Sequence, residues 1–529
     1  MVVAQEPQAA RVGVDILKKG GNAVDAAVAV GFAMAVTYPR AGNMGGGGFM
    51  VIHRADGDDV AIDYRETAPA AITATSFLDA QGNADPEKSR NSALAIGIPG
   101  TVAGLALAEQ KYGSGRFTLA DLIAPAIALA RDGFAVSATT MPPPFAASRL
   151  ARWPSSAKIF LKPDGSALSV GDRLVQSDLA NSLETVAKDG PRAFYDGPMA
   201  QKIAAAVQAA GGVMTADDLK QYRAVERAPV RGTYRGYGIV SMPPPSSGGV
   251  ELIEMLNILE GYDLALDDQG QFAFLMVEAM KRAYADRALF LGDPGTVDNP
   301  VARLTAKSYA AQWQATIDPT HATPASAVRA GGSVDGEGRN TTHFSVVDRF
   351  GNAVSNTYTL NFSYGVGLVA GGTGILLNNE LDDFAAKPDS PNAYGLVGYS
   401  ANAPGPGKRP LSSMTPTIVL KDGKPFLITG SPGGSRITTT VLQVVVDVID
   451  RGMDIAAAVS APRIHNQWVP DQVYAEPGVP DIVVSTLKAR GDKVVPQRPF
   501  TSANSILITP GGFVGAADPR EGGALAVGY

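Results

Sequence analysis

The 529-residue chain contains no cysteine, which excludes disulfides, thiolate nucleophiles and cysteine-ligated metals. Histidine is nearly as scarce. His53, His321, His343 and His465 stand apart with no HExxH spacing, so zinc catalysis and a Ser-His-Asp triad lack support and each histidine reads first as structural. Charge is thin as well: 18% of residues are charged, the net charge is -6, and no Lys/Arg run stands out. That pattern argues against a nucleic-acid partner and against an anionic membrane surface. The longest apolar stretch, Ala23 to Val36, is broken by Asp25. It falls short of the roughly 18 to 20 residues a membrane span requires, and reads as a buried helix. No charged segment followed by an apolar one precedes the amphipathic pattern at Ala9 to Leu17. A secretory signal is therefore not expected, and the compartment stays open between the cytoplasm and an exported, trimmed form.

What is present points to a compact, loop-rich body: 45% hydrophobic residues, 59 glycines and 37 prolines. Length alone suggests three or four domains. Helical periodicity dominates the first two-thirds, at Ala9 to Lys19, Ala23 to Val36, Leu119 to Arg131, Leu174 to Lys188, Met199 to Ala210, Val250 to Glu260 and Gln271 to Leu291. Short strands are expected at Phe49 to His53, Val60 to Tyr64 and Tyr237 to Met242. Ile317 to Asn340 has no sustained period and reads as an exposed linker. Three hairpins follow, turning at Arg349 to Asn352, Lys421 to Lys424 and Pro510 to Gly512, with helices at Thr438 to Arg451 and Ile482 to Arg490. Sheets covered by helices are the economical architecture.

The chemistry centres on Thr341. Were the bond after Asn340 broken, one residue would carry both a hydroxyl and a free α-amine. Such an amine titrates near 7.7 to 8.0, against about 10.4 for lysine, so it can serve as the base for its own hydroxyl without a histidine. Alone, a Thr-Thr pair at the head of a strand is simply a good strand former. The longer string Thr341-Thr342-His343-Phe344-Ser345-Val346-Val347-Asp348, followed by Gly351-Asn352-Ala353 and Tyr358-Thr359-Leu360-Asn361, resembles the γ-glutamyltransferase family of bacterial type. These are self-processing N-terminal-nucleophile enzymes, also called glutathione hydrolases, and the resemblance runs from about Gln8 to Tyr529.

The resemblance implies an α+β fold, a four-layer αββα sandwich built from a large segment 1–340 and a small segment 341–529. It implies cleavage between Asn340 and Thr341, with Thr341 as nucleophile and Thr359 orienting its hydroxyl. Ser431-Pro432-Gly433-Gly434-Ser435-Arg436 reads first as a helix-opening turn that could hold an anion, but it lacks the Gly-Lys-Ser/Thr ending of a P-loop. The family assigns Gly433 and Gly434 to the oxyanion hole. Arg65, Ser412 and Ser413 match the groups that hold the substrate's α-carboxylate, and Asn361, Glu380 and Asp383 match those on its α-ammonium. Tyr394 matches the tip of a lid loop, although by itself it reads as an exposed loop residue. Gly45 to Gly48 and Pro243 to Gly249 match the family without an assigned chemistry, and Met141 to Ala157 matches nothing.

The implied substrates are glutathione and other γ-glutamyl compounds, the acceptors water, amino acids or peptides, with no cofactor and no metal. The family resemblance implies a periplasmic or secreted enzyme. Two other readings stay open: a glutaryl-amide acylase of the cephalosporin type, and a catalytically silent binder of glutamyl peptides. Retention of Asn361, Glu380 and Asp383 argues against the first, and intact Thr341, Thr359, Gly433 and Gly434 against the second.

Overall fold

Two antiparallel sheets pack face to face in the computed structural model, which describes residues 1–264, 268–329, 341–499 and 501–529. In chain order their strands are β1 (Val2–Ala4), β2 (Gly47–His53), β3 (Asp59–Asp63), β4 (Val225–Arg227), β5 (Val230–Tyr234), β6 (Tyr237–Ser241), β7 (Thr342–Val347), β8 (Ala353–Thr359), β9 (Thr417–Lys421), β10 (Lys424–Thr429), β11 (Ser505–Thr509), β12 (Gly512–Ala516) and β13 (Leu525–Val527). One sheet runs β13-β1-β7-β8-β2-β3-β4, the other β12-β11-β10-β9-β6-β5. Strands from before and after residue 340 lie side by side in both, β1 with β13 and β7, β2 with β8, and β6 with β9. The length-based expectation of three or four domains therefore gives way to one layered unit.

Helices cover the outer faces. The first sheet carries α1 (Ala23–Thr37), buried along its whole length, and α2 (Leu119–Asp132). Asn22 and Asp25 close a reciprocal capping box on α1, which explains how one charge is tolerated in an otherwise apolar run. The second sheet carries α3 (Gly248–Leu259), α4 (Gln269–Phe290) and α5 (Arg436–Ile449), packed into a core with Val419, Leu427, Val441 and Val445. The layers are thus helix, sheet, sheet, helix, as the resemblance implied.

Most expected elements appear with their ends moved by one to three residues. The helix expected from Leu174 begins at Ser177, because Arg173–Leu174 pairs instead with Phe134–Ala135. Met141 to Ala157 contains two short helices, Pro144–Ala151 and Pro154–Phe160. Within the expected linker, Ala325–Val328 forms one helical turn held by Trp468 and Asp471. Residues 330–340, Asn340 included, lie outside the described residues.

Between the sheets an apolar cluster that includes Phe49, Val51, Val240, Ile418, Ile428 and Ile506 gives way to polar side chains toward His343 and Ser345. Period-two alternation sends Phe344 and Val346 outward to the helical core and His343 and Ser345 inward. There Ser345 donates to the Asn504 carbonyl at 2.8 Å and Ser355 to the Thr429 carbonyl at 2.9 Å. His343 lies between Thr357 Oγ1 at 2.9 Å and Ser345 Oγ at 3.0 Å, and burial pushes its imidazole down to about 3, so it stays neutral. His465 is likewise buried between Thr439 and Gln467. Both are structural.

Candidate active site

Strand register brings the two threonines together. β7 and β8 pair Ser345 with Ser355, His343 with Thr357 and Thr342 with Tyr358, and one step further Thr341 meets Thr359. Both therefore fall on the inner face, where the Thr341 hydroxyl donates to Thr359 Oγ1 at 3.4 Å. Thr359 Oγ1 also accepts from the Asn361 amide at 2.8 Å, which turns the chain sharply at Asn361, φ +69°. Thr341 is 6% exposed, at the edge of a cavity.

That cavity gathers nearly every residue expected of the site: Arg65, Thr341, Thr359, Asn361, Glu380, Asp383, Tyr394, Ser412, Ser413 and Gly434, with Arg287, Leu396, Met414 and Ile437 added. Gly433 is not part of the lining and packs toward Thr501 instead. Gly433 and Gly434 have φ of +136° and +57°, and among the described residues neither N-H donates a hydrogen bond. The turn leads straight into α5 through Gly433 and Gly434 carbonyls that accept from Arg436 and Ile437.

Arg65 is fully buried just after β3. Its Nε donates to the Pro410 carbonyl at 3.0 Å, Nη1 to Glu380 and Nη2 to Asp383 Oδ2 at 2.6 Å. The arginine expected for a carboxylate and the acids expected for an ammonium are thus paired with each other. Glu66 adds a third carboxylate, its Oε2 3.9 Å from Arg65 Nη1. One guanidinium cannot offset three buried carboxylates, and burial drives Glu66 and Glu380 above the usual carboxylate range despite the arginine. Glu380 Oε2, Ser413 Oγ and both Glu66 carboxylate oxygens are buried without a hydrogen-bond partner among the described residues. Asp383 Oδ1 accepts from Asn392 at 2.9 Å, and Asp382 accepts from the Ala393 amide at 2.8 Å. The short helical turn Glu380–Asp383 thereby anchors the loop bearing Tyr394.

Tyr394 is buried at 5% exposure rather than exposed at a loop tip. Its hydroxyl lies 2.8 Å from the Asn361 carbonyl and 2.7 Å from Asn361 Oδ1, and its ring lies on Gly434, where a Cβ would sit 2.0 Å from Tyr394 Cδ1. The cavity beneath has a volume of about 20 Å³, room for one water, with the Tyr394 ring as part of its lining. Arg287 lies apart from the matched motifs and carried no sequence signal; Glu66 stands next to the matched Arg65 without an assigned role, and the Tyr394–Asn361 contact joins two matched residues 33 positions apart, which the sequence could not pair. Among the described residues no group of three or more acidic or histidine side chains could hold a metal ion, and no helix is long and apolar enough to cross a membrane.

The layered fold and a threonine facing a closed, charged cavity define an enzyme of the N-terminal-nucleophile class. Residues 9–528 match the Gamma-glutamyltranspeptidase family model. The glutathione hydrolase proenzyme of Escherichia coli (strain K12) is 52% identical, the match covering 100% of this chain and 92% of that protein. Among solved structures, a cephalosporin acylase from Bacillus halodurans superposes with a TM-score of 0.88 at 28% identity, covering 100% of this chain and 95% of its own. A Helicobacter pylori gamma-glutamyltranspeptidase chain gives 0.58 at 44% identity, covering 60% of this chain and 92% of its own. The chain belongs to the gamma-glutamyltranspeptidase family.

Proposed function

We propose that the chain cuts itself between Asn340 and Thr341 and then transfers γ-glutamyl groups from glutathione and related amides to water, amino acids or peptides. Thr341 Oγ attacks the γ-carbonyl while its α-amine takes the hydroxyl proton. The N-H groups at Gly433 and Gly434 hold the oxyanion, the leaving amine departs with the proton, and a γ-glutamyl ester remains for water or an amine to open. The observation that carries this reading is the register that sets Thr341 against Thr359 on the inner face, inside a cavity with Arg65, Glu380 and Asp383. Segments 1–340 and 341–529 become the large and small subunits. Support comes from the proenzyme name of the Escherichia coli relative and from the Helicobacter pylori chain, nearly fully matched yet spanning 60% of this one. A periplasmic or secreted location accords with the family resemblance.

The substrate's zwitterion would enter where Arg65 now meets Glu380 and Asp383. Its α-carboxylate competes for Arg65 and for the orphan Ser413 hydroxyl, and its α-ammonium competes for the two acids and Asn361. The structural likeness to a cephalosporin acylase makes glutaryl-amide hydrolysis the second reading. The acidic pair weighs against it, because a glutaryl group brings no cation for Glu380 and Asp383.

Intact mass spectrometry tests the first step. Wild-type protein should resolve into two chains split before Thr341, Thr341→Ser should process more slowly, and Thr341→Ala should remain one inactive chain. Efficient cleavage of the alanine variant would remove Thr341 from the chemistry.

A further inference from the structure

The motif Pro243-Pro244-Pro245-Ser246-Ser247-Gly248-Gly249 lies directly behind Ser412 and Ser413. Ser246 and Ser412 form a parallel bridge. The Ser412 amide donates to the Pro245 carbonyl at 2.9 Å, and the Ser412 carbonyl accepts from both the amide and the hydroxyl of Ser247, each at 2.8 Å. Ser246 Oγ donates to the Met414 carbonyl at 2.6 Å. Glycine is required at 248 because a Cβ there would stand 2.1 Å from Thr415 Oγ1. The motif is a template against which the backbone of the two serines is laid.

The template is itself tied to a cation. Arg287, on α4, is 3% exposed and donates from Nε to Ser247 Oγ at 3.2 Å, with Glu251 Oε1 3.3 Å from the same nitrogen. Its guanidinium lines the cavity, and among the described residues its two terminal nitrogens have no hydrogen-bond partner. Arg65 is in the opposite condition, with Glu380 and Asp383 both on its fork.

We propose that Arg287 determines recognition of the substrate's α-carboxylate: through Ser247 it fixes the Ser412–Ser413 donors, and its guanidinium, which meets Ser247 and Glu251 through Nε, turns its two terminal nitrogens to the carboxylate beside them. The proposal rests on the γ-glutamyl reading above. Arg287 and Arg65 divide the work. Arg65 holds the acids of the ammonium half in place and meets the carboxylate from one side, whereas Arg287 supports the serine half from the other.

The test compares γ-glutamyl anilide with 4-aminobutyryl anilide, which keeps the ammonium and the scissile amide but lacks the carboxylate, at enzyme concentrations that make the slower reaction measurable. Arg287→Gln should raise KM for γ-glutamyl anilide about 10- to 100-fold with kcat within about threefold. It should leave kcat/KM for 4-aminobutyryl anilide within about threefold, and Arg287→Lys should recover much of the loss. Ser247→Ala should give a smaller loss of the same selectivity. Because Arg287→Gln strands Glu251 in the interior, the Arg287→Gln, Glu251→Gln double variant is measured alongside, with processing read on a denaturing gel. An equal loss on both anilides, an unchanged KM, or a double variant that fails to fold or process overturns the proposal and returns Arg287 to the core. Wild-type protein inactive on γ-glutamyl anilide would instead refute the γ-glutamyl reading.

Discussion

Removing the charge of Asp383 while keeping its shape separates the ammonium clamp from mere structural support. In Asp383→Asn the side chain can still accept from Asn392, a bond of 2.9 Å that anchors the loop of Tyr394, so the lid keeps its tether. What is lost is one of the two acids on Arg65 and the attraction for a substrate ammonium. At about 3 Å and an effective dielectric near 20, that attraction is roughly 5 kcal/mol before desolvation is charged against it. Asp383 is 12% exposed and sits in a cavity with room for one water, so little screening remains, and a net loss of about 2 to 5 kcal/mol is expected. That is about 30- to several-thousand-fold in kcat/KM for γ-glutamyl anilide. Glutaryl anilide has the same carboxylate and no ammonium, so Asp383→Asn should leave it unchanged or improve it. The assay is initial rates for both anilides on wild type and variant, after a gel shows equal processing and a melt shows equal folding. If both substrates slow by the same factor, Asp383 is a structural acid and the clamp does not exist.

Arg65→Ala should slow both anilides and, placed in the unprocessed Thr341→Ala chain so that unfolding involves one polypeptide, should cost about 3 to 5 kcal/mol in urea unfolding near pH 7, since it strands Glu66, Glu380 and Asp383; a fold as stable as the Thr341→Ala parent would refute that charge balance. Gly434→Ala should lower turnover about 10²- to 10³-fold, but its Cβ would strike Tyr394 as well as disturb the oxyanion donors. The Gly434→Ala, Tyr394→Ala double variant divides the two causes: recovered turnover would mean that Gly434 makes room for the lid and does not serve the oxyanion. Burial pushes Asp447, on α5 beside Arg451, up to about 6 from an ordinary 3.8. The folded state therefore holds a proton that the unfolded state has released, and stability should fall by up to about 3 kcal/mol as pH rises from about 4 to 6. Asp447→Asn should lose that slope in melting curves, and an identical slope would count against the shift.

Pattern in the sequence marked individual helices and strands, whereas the four-layer sandwich was legible only through the family resemblance. Three-to-four-residue periodicity marked the long helices, and the turn at Arg349 to Asn352 marked β7 and β8 as a hairpin, whose register in the structure sets Thr341 opposite Thr359. The helix Thr101–Tyr112 was missed because Gly104 interrupts its apolar face, and β1 and β13, at three residues each, are too short to alternate. The matched motifs named the site residues, and the cavity brings together all of the described ones except Gly433. What they could not convey was pairing across distance. Arg65 and Glu380 are 315 positions apart and Arg287 is 40 from Ser247, so their contacts are products of the folded layers. Burial is the other invisible quantity: Tyr394 in a loop full of Pro, Gly and Asn looks exposed until its hydroxyl is seen on Asn361.

The pairing of strands from opposite sides of residue 340 has a consequence for the life history of the molecule. β1 lies between β13 and β7 with three register pairs on each side, β2 meets β8 over seven pairs, and β6 meets β9 over four. Under the proposed cleavage every one of these seams joins two separate polypeptides, so the cut sets neither half loose. It does erase the covalent memory by which the halves first found each other. Folding of the precursor is a one-molecule event, whereas reassembly after denaturation becomes an encounter between two chains whose yield depends on concentration. Self-cleavage thus makes the native state a destination that the chain reaches unaided only once.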